Sequence, residues 1–579
     1  MSNTPNYDAK VKAILDGLVP GERVDRLTGE KWMMTEEEIG WYKKFGAPPS
    51  MYSPLTRMKW LSAFRTSFEI FWNKHAFTGE PILSYVHPDI QIPIVSDQEW
   101  HDLDVGATPE YQREIDLARP VLEQCRDLVH VVPMGARREW KNIVNTIGVG
   151  MWDVEDCYIV FSTVRAKRAM YTYYCLENCE DIVQGTFVMT SQNCFGCTRI
   201  DRCHSCNFAL ESRDCINCSF IFDCRNCEDC FGATNLRNKK YVLFNEQLTK
   251  EEYQKRMTEV DLSSTREFET WKQEFSRLVS EKTIWPENFS VSVQDCIGEG
   301  MMDSLNASGF LMDKAKDIKD GWIIFDSEHL ESVVISYNSQ DCYNTAVALS
   351  AHNIKFSFIA DHSSDVEYCF NCRNVEHCFG CVGLNRKSYC IFNKQYTQEE
   401  YWSKLDEVKC AMLDRGEYGK FFPAALSALG VKYGFNYVVA PFSADELIKI
   451  GGRDDDPIAG MRFAPYDVNA PTSNIDDVPD RIADVGDEWI GKQFFDAEAN
   501  RRFSVNAAEL AYRKEHGYPF PRCHYTARLK DLVASCNGPL QEKAACAKCQ
   551  KEIMTSQSTV YPKRMIYCKP CYYQYLEAK

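Results

Sequence analysis

No stretch of this chain approaches the roughly 20 consecutive apolar residues that a membrane-spanning helix requires. The opening segment, MSNTPNYDAKVKAILDGLVPGERVD, is polar and charged, without the apolar core of a secretory signal. Positive charge is also short: the formal net charge is −17 at pH 7. That excludes a protein whose whole surface grips nucleic acid or an anionic membrane, while leaving room for a local basic patch. The sequence lacks a P-loop, a dinucleotide fingerprint, a G-x-S-x-G elbow and an H-E-x-x-H helix, so the commonest motif-borne chemistries are missing. The expected location is the cytoplasm, or a virion if the protein is phage-encoded, with no membrane partner.

Cysteine is what the chain has in plenty: 27 among 579 residues. In a reducing compartment these thiols are read as metal ligands or packed side chains rather than disulfides. The length exceeds what one core serves, so several domains are expected.

Two nested repeats organise the chain. At an offset of 148 residues, Cys194, Cys224 and Cys230 match Cys342, Cys372 and Cys378, and the ending CFGATNLRNKKYVLFNEQLTKEEY recurs as CFGCVGLNRKSYCIFNKQYTQEEY. Each ending reads as a strand followed by a helix that starts at a Thr-x-x-Glu capping box, Thr249/Glu252 and Thr397/Glu400. Within the first copy, Cys194, Cys197, Cys203 and Cys206 recur 21 residues later as Cys215, Cys218, Cys224 and Cys227. The same C-x2-C-x5-C-x2-C spacing returns at Cys369, Cys372, Cys378 and Cys381. A short repeat without helical periodicity suits a parallel β-solenoid, here with a coil of about 20 residues. Cysteines at equal positions would then stack in ladders. In the second copy Ala351 and Ile354 take cysteine slots, which favours packing over ligation; these twelve cysteines are secondary candidates for metal.

The other repeat pairs the two ends of the chain at an offset of 471. Thr35 and Glu38 match Asn506 and Glu509, and Arg57 matches Arg528. Near the C-terminus Cys546, Cys549, Cys568 and Cys571 form C-x2-C-x18-C-x2-C, the spacing with which two knuckles supply the four tetrahedral ligands of zinc. One structural Zn2+ is therefore expected, with no open position for catalysis. At the matching N-terminal positions stand His75, Thr78, Ser96 and Glu99, which predicts a ribbon of the same shape without metal, held by Phe71, Trp72, Phe77, Tyr85 and Trp100.

The predicted fold is mainly β with α: two tandem β-solenoid (β-helix-like) repeat domains flanked by related helix-plus-zinc-ribbon modules. The boundaries are 1–104 for the metal-free ribbon module, 105–149 linker, 150–260 first solenoid copy, 261–291 helical connector, 292–408 second copy, 409–490 linker and 491–579 helix plus zinc ribbon. The C-F-G-C/A…Y-x-I/L-F-N ending, the helix after it, FFPAALS at 421–427 and the terminal four-cysteine set together resemble cysteine-rich, zinc-ribbon-bearing proteins of candidate-phyla (Patescibacteria-like) bacteria and some phages. That resemblance implies CxxC pairs in both terminal modules and no established activity.

The leading functional expectation is a non-enzymatic zinc-binding structural or protein-interaction scaffold, an assembly component being one version of it, with a protein partner or self-association. The alternative is nucleic-acid or ribonucleoprotein binding through the C-terminal ribbon. From Gln541 to Lys579 there are seven basic and three acidic residues, and Lys563, Arg564, Lys569 and Tyr572 combine charge with a ring that can stack on bases. GGRDDDP at 451–457 is the densest acidic patch and reads first as a solvated loop.

Overall fold

The computed structural model describes residues 2–102, 104–163, 166–173, 182–186, 195–294, 296–301, 308–310, 318, 321–324, 327–328, 330–336, 339–347 and 354–579. Cys194 and Ala351 lie outside them. The chain is mainly β with helices and winds a β-solenoid in each of two compact units. One unit comprises Met1–Ala136 and Ser290–Pro465; the other comprises Arg137–Phe289 and Tyr466–Lys579. Each unit thus joins one solenoid copy to the terminal module from the opposite end of the chain.

The coil is shorter than the cysteine repeat suggests. Asn207 pairs in parallel with Ser219, and Ser219 with Phe231, a step of 12 residues. The second copy has the same step, Ser357 to Cys369 and Glu376 to Ser388. Every third residue points inward: Cys203, Cys206, Ala209 and Ser212 are buried in one coil, and Cys215, Cys218, Ile221 and Cys224 in the next. Every third residue also has positive φ, as at Arg202, Ser205, Phe208, Glu211 and Asp214. Each coil therefore has four sides of three residues with a left-handed residue at each corner. An offset of 21 is a whole number of sides but not of coils. It maps inward positions onto inward positions on a different face, which is why it mimics a coil. The cysteine columns that do form run at 12: Cys203, Cys215 and Cys227, and beside them Cys206, Cys218 and Cys230.

The duplicated ending follows from the same geometry. Gly232 (φ +62°) and Gly380 (φ +63°) sit at left-handed corners that disfavour side chains. A Cβ on Gly232 would lie 2.6 Å from the Phe244 ring one coil later, and one on Gly380 would lie 3.2 Å from Phe392. The Asn that follows each of these rings is also left-handed and uses its side chain on the coil before. Asn245 Oδ1 accepts the Thr234 N–H and Asn393 Oδ1 the Val382 N–H, both at 2.8 Å. Each copy then turns into a short antiparallel strand and a helix opened by the expected capping box.

In the Arg137–Phe289 copy the coils begin at Glu139, whose strand pairs with Met151–Glu155, earlier than the expected start at 150. The connector forms a helix, Thr265–Glu281, that lies along an aromatic face: Phe268 packs on Phe195, Phe208 and Phe220. In the other unit residues 105–136 and 409–465 are not free linkers. Phe421, Phe422, Leu426 and Phe435 are buried there, and Asp406 of the helix Gln398–Asp414 accepts the N–H of Tyr7 at 2.7 Å.

Candidate metal centre and its cysteine-free counterparts

The C-terminal module ends in a hairpin, Gln541–Ala545 with Glu552–Ser556, followed by strand Met565–Tyr567 and helix Lys569–Glu577. The turn of the hairpin is tight: Gln550 N–H bonds back to Cys546 O and has φ +63°. This turn carries Cys546 and Cys549, and the start of the helix carries Cys568 and Cys571. The four Sγ atoms lie within 4.8 Å of one another, and Cys549 Sγ is 3.7 Å from Cys568 Sγ. Four thiolates at about 2.3 Å from one zinc would stand about 3.8 Å apart, so the donor set fits a tetrahedral ion. Cys546 is buried, which pushes its thiol up, but the N–H groups of Cys568, Cys549 and Lys548 point at the sulfur and bring it down to about 6.

Three further hairpins repeat this turn without cysteine. In Gly21–Val24/Lys31–Met34, Asp25 stands where Cys546 stands. Its Oδ1 accepts the N–H of Leu27 and Thr28 (2.8 and 2.9 Å), and its Oδ2 that of Ser53 (2.6 Å), the N-cap of helix Pro54–Ala63. In Phe494–Asp496/Arg501–Phe503, Asp496 accepts from Glu498 and Ala499 through Oδ1 and from His524 N–H through Oδ2 (3.0, 3.0 and 2.7 Å). In Phe71–Lys74/Pro81–Ser84, His75 Nδ1 accepts from Phe77 and Thr78, and its Nε2 lies 2.8 Å from Glu99 Oε2, which accepts the Ser96 N–H. The residue four after each of these side chains is left-handed: Gly29, Gly79 and Asn500.

The structure thus brings His75, the Thr78 backbone, Ser96 and Glu99 together as the sequence match implies. Phe77 is the exception among the residues expected to hold that hairpin, being 57% exposed. The Asp25 and Asp496 turns escape the sequence reading. The available signal for the Asp25 turn is Thr28-Gly29-Glu30 repeating as Thr78-Gly79-Glu80, and for the Asp496 turn it is the offset of 471, which carries Asp25 onto Asp496. Burial pushes the Asp25 carboxyl up, yet the Ser53 and Thr28 N–H groups, the Thr56 hydroxyl and the Leu27 N–H hold it below its ordinary value.

The basic and aromatic residues of the C-terminal hairpin do not share an exposed face. Lys563 is exposed, whereas Arg564 and Tyr572 are buried. Arg564 stacks over Trp285 at 4.9 Å and donates to Ser556 O. The Tyr572 hydroxyl bonds Asp223 and accepts from Asn235 Nδ2 at 2.8 Å, joining the helix of the second knuckle to the solenoid. Strand Met565–Tyr567 also pairs in parallel with Ile284–Pro286.

The solenoid cysteines are organised differently. Those described form no disulfide. Cys206 Sγ lies 3.4 and 3.3 Å from the carbonyls of His204 and Cys215; Cys218 Sγ lies 3.2 and 3.6 Å from those of Ile216 and Cys227. Cys369, Cys372, Cys378 and Cys381 repeat the pattern, always to the carbonyl two residues back and nine ahead. Each of these thiols is thus placed to donate its S–H to a backbone carbonyl of its own coil or of the next.

Among the described residues one other group could hold an ion: His87, Asp89 and Asp455. Asp455, from the acidic GGRDDDP segment, is buried and held by Arg453 through two bonds of 2.9 and 2.8 Å, so its charge is already matched. No described helix is long and apolar enough to cross a membrane. Comparison with family models, with curated proteins and with solved structures finds no match to this chain.

Proposed function

We propose that the chain is a non-enzymatic scaffold whose C-terminal four-cysteine centre binds one structural Zn2+ and whose two solenoids present surfaces for protein assembly. The observation that carries this reading is the division of the cysteines into two kinds. Four converge on a tetrahedral donor set, and those of the coils are spent as donors to backbone carbonyls. A closed four-thiolate set selects zinc among common divalent ions and leaves no position for substrate. The metal would clamp a hairpin already tied to the solenoid by Tyr572 and by the strand beside Ile284–Pro286. Nucleic-acid binding is the weaker reading, because two of its four candidate contacts, Arg564 and Tyr572, are buried.

The test is metal content with thiol titration on protein purified under reducing conditions without added metal. One zinc per chain, lost in Cys546→Ser, with most of the remaining thiols reactive only after denaturation, supports the proposal. Three or more zincs per chain would overturn it and move the coil cysteines into metal sites.

A further inference from the structure

In the unit formed by Met1–Ala136 and Ser290–Pro465, a cleft of about 720 Å³ opens between helix Pro5–Asp16, the end of helix Glu36–Phe45 and the solenoid. Lys12, Lys43 and Lys44 line its rim with Asp16 and Asp341, and Lys355 and Lys409 line it deeper in. Lys12 is paired with Asp16 and Lys44 with Asp341.

The deep end is unusual. Lys409 Nζ lies 3.1 Å from Glu367 Oε1, and Lys355 Nζ lies 3.3 Å from the same oxygen. The Tyr418 hydroxyl donates to the other oxygen at 2.6 Å. Lys409 is 3% exposed and sits against the rings of Tyr7 (4.0 Å) and Tyr418 (5.0 Å). An ion pair built only for stability needs one ammonium, and here two share one buried carboxylate.

We propose that Lys409 is an amine nucleophile at the floor of this cleft, which binds a small carbonyl compound bearing a carboxylate by forming an imine, with Lys355 receiving the carboxylate. The Lys409 nitrogen lone pair attacks the carbonyl carbon and the C–N bond forms. The carbonyl oxygen takes protons and leaves as water, and the nitrogen loses its N–H protons as C=N forms. The balance is amine plus carbonyl to imine plus water, with no oxidant or reductant. Burial, with the nearby Lys355 charge, pushes Lys409 down to about 8 against the pull of Glu367 and of Asp8 on the first helix, which makes it the described lysine readiest to be neutral. Desolvation between aromatic rings and a second ammonium close by are the surroundings in which a lysine becomes nucleophilic.

The test uses the full-length protein with glyoxylate and sodium cyanoborohydride, followed by peptide mapping. The expected result is a reductive adduct on Lys409, at least tenfold over any exposed lysine, rising with pH through about 8 and lost in Lys409→Met. Lys355→Met should keep labelling by formaldehyde and weaken that by glyoxylate several-fold. If Lys409→Met fails to fold, the wild-type map alone decides. Labelling spread over exposed lysines with Lys409 unmodified overturns the proposal, as does a Lys409 adduct that rises only near the ordinary lysine value of about 10. Neither result bears on zinc content, so this site and the scaffold reading fail separately.

Discussion

The four hairpin turns differ in what fills the centre, and the backbone barely notices. At Cys546 a sulfur accepts the N–H groups of Lys548, Cys549 and Cys568. At Asp25 a carboxylate accepts those of Leu27, Thr28 and Ser53. At Asp496 the same three positions, Glu498, Ala499 and His524, serve again. At His75 an imidazole takes the first two and passes the third role to Glu99. The turn thus requires an acceptor at its first position, to satisfy N–H groups that would otherwise lack a partner. A metal is one way to join the two halves, and a two-oxygen carboxylate that reaches both is another.

The largest effect should come from the one turn with four thiols. Its hairpin is small, and its donor set gains cohesion only when an ion neutralises mutually repelling thiolates. Chelation, or Cys568→Ser, is expected to unfold residues 541–579 locally, read as loss of hydrogen-exchange protection there. Protection in helix Pro54–Ala63, tied through Asp25, should be unchanged. Equal loss at both turns would show that Asp25 does not replace an ion.

Restoring the ligands probes the same contrast from the other side. The combined variant Asp25→Cys, Thr28→Cys, Ser53→Cys and Thr56→Cys puts sulfur at the positions matching Cys546, Cys549, Cys568 and Cys571. It should bind one more zinc per chain than wild type, detected by metal analysis and by cobalt charge-transfer absorption. An unchanged stoichiometry would mean that the Asp25 turn only resembles a metal turn in its hydrogen bonds.

Single removal of the carboxylate is smaller. Asp25→Ala leaves three N–H groups without their acceptor, that of buried Ser53 among them, a loss of about 2–4 kcal/mol in denaturant unfolding. The pH dependence has a fixed sign. The folded pKa of Asp25 is depressed, so its contribution is complete above the unfolded value of about 3.9 and is lost as pH falls through the folded one. Wild type should therefore lose stability faster than Asp25→Ala below about pH 4, and the two curves should run parallel above about pH 5.

Much of this is readable in the sequence, and the failures have physical causes. C-x2-C-x18-C-x2-C declares itself because metal geometry constrains residue type, whereas an acceptor for N–H groups can be Asp, His or Cys, so the four turns share no common letter. The solenoid is evident from the cysteine repeat, but its coil length is not. Inward positions recur every three residues, so any multiple of three gives an apparent match, and only strand register separates 12 from 21. Arg564 and Tyr572 read as a binding surface because composition does not say which side of a hairpin meets the solenoid. Lys409 and Glu367 are 42 residues apart, and nothing local marks either as buried.

The smallest expected effect distinguishes the two kinds of cysteine. Ser212 already occupies an inward slot of the coils: its Oγ donates to Leu210 O at 2.9 Å and accepts the Cys224 N–H. That is the carbonyl two residues back which each coil cysteine also meets. Cys218→Ser should therefore keep a donor to Ile216 O and change stability by about 1 kcal/mol or less, since it exchanges a weak donor of nearly the same size for a stronger, more polar one. Cys218→Ala should cost slightly more, by loss of the donor and a sub-methyl gap between coils. Zinc content should stay at its wild-type value in both. If Cys218→Ser instead released metal, the carbonyl-bonded thiols would have to be read as ligands, and the distinction between column and centre would fall.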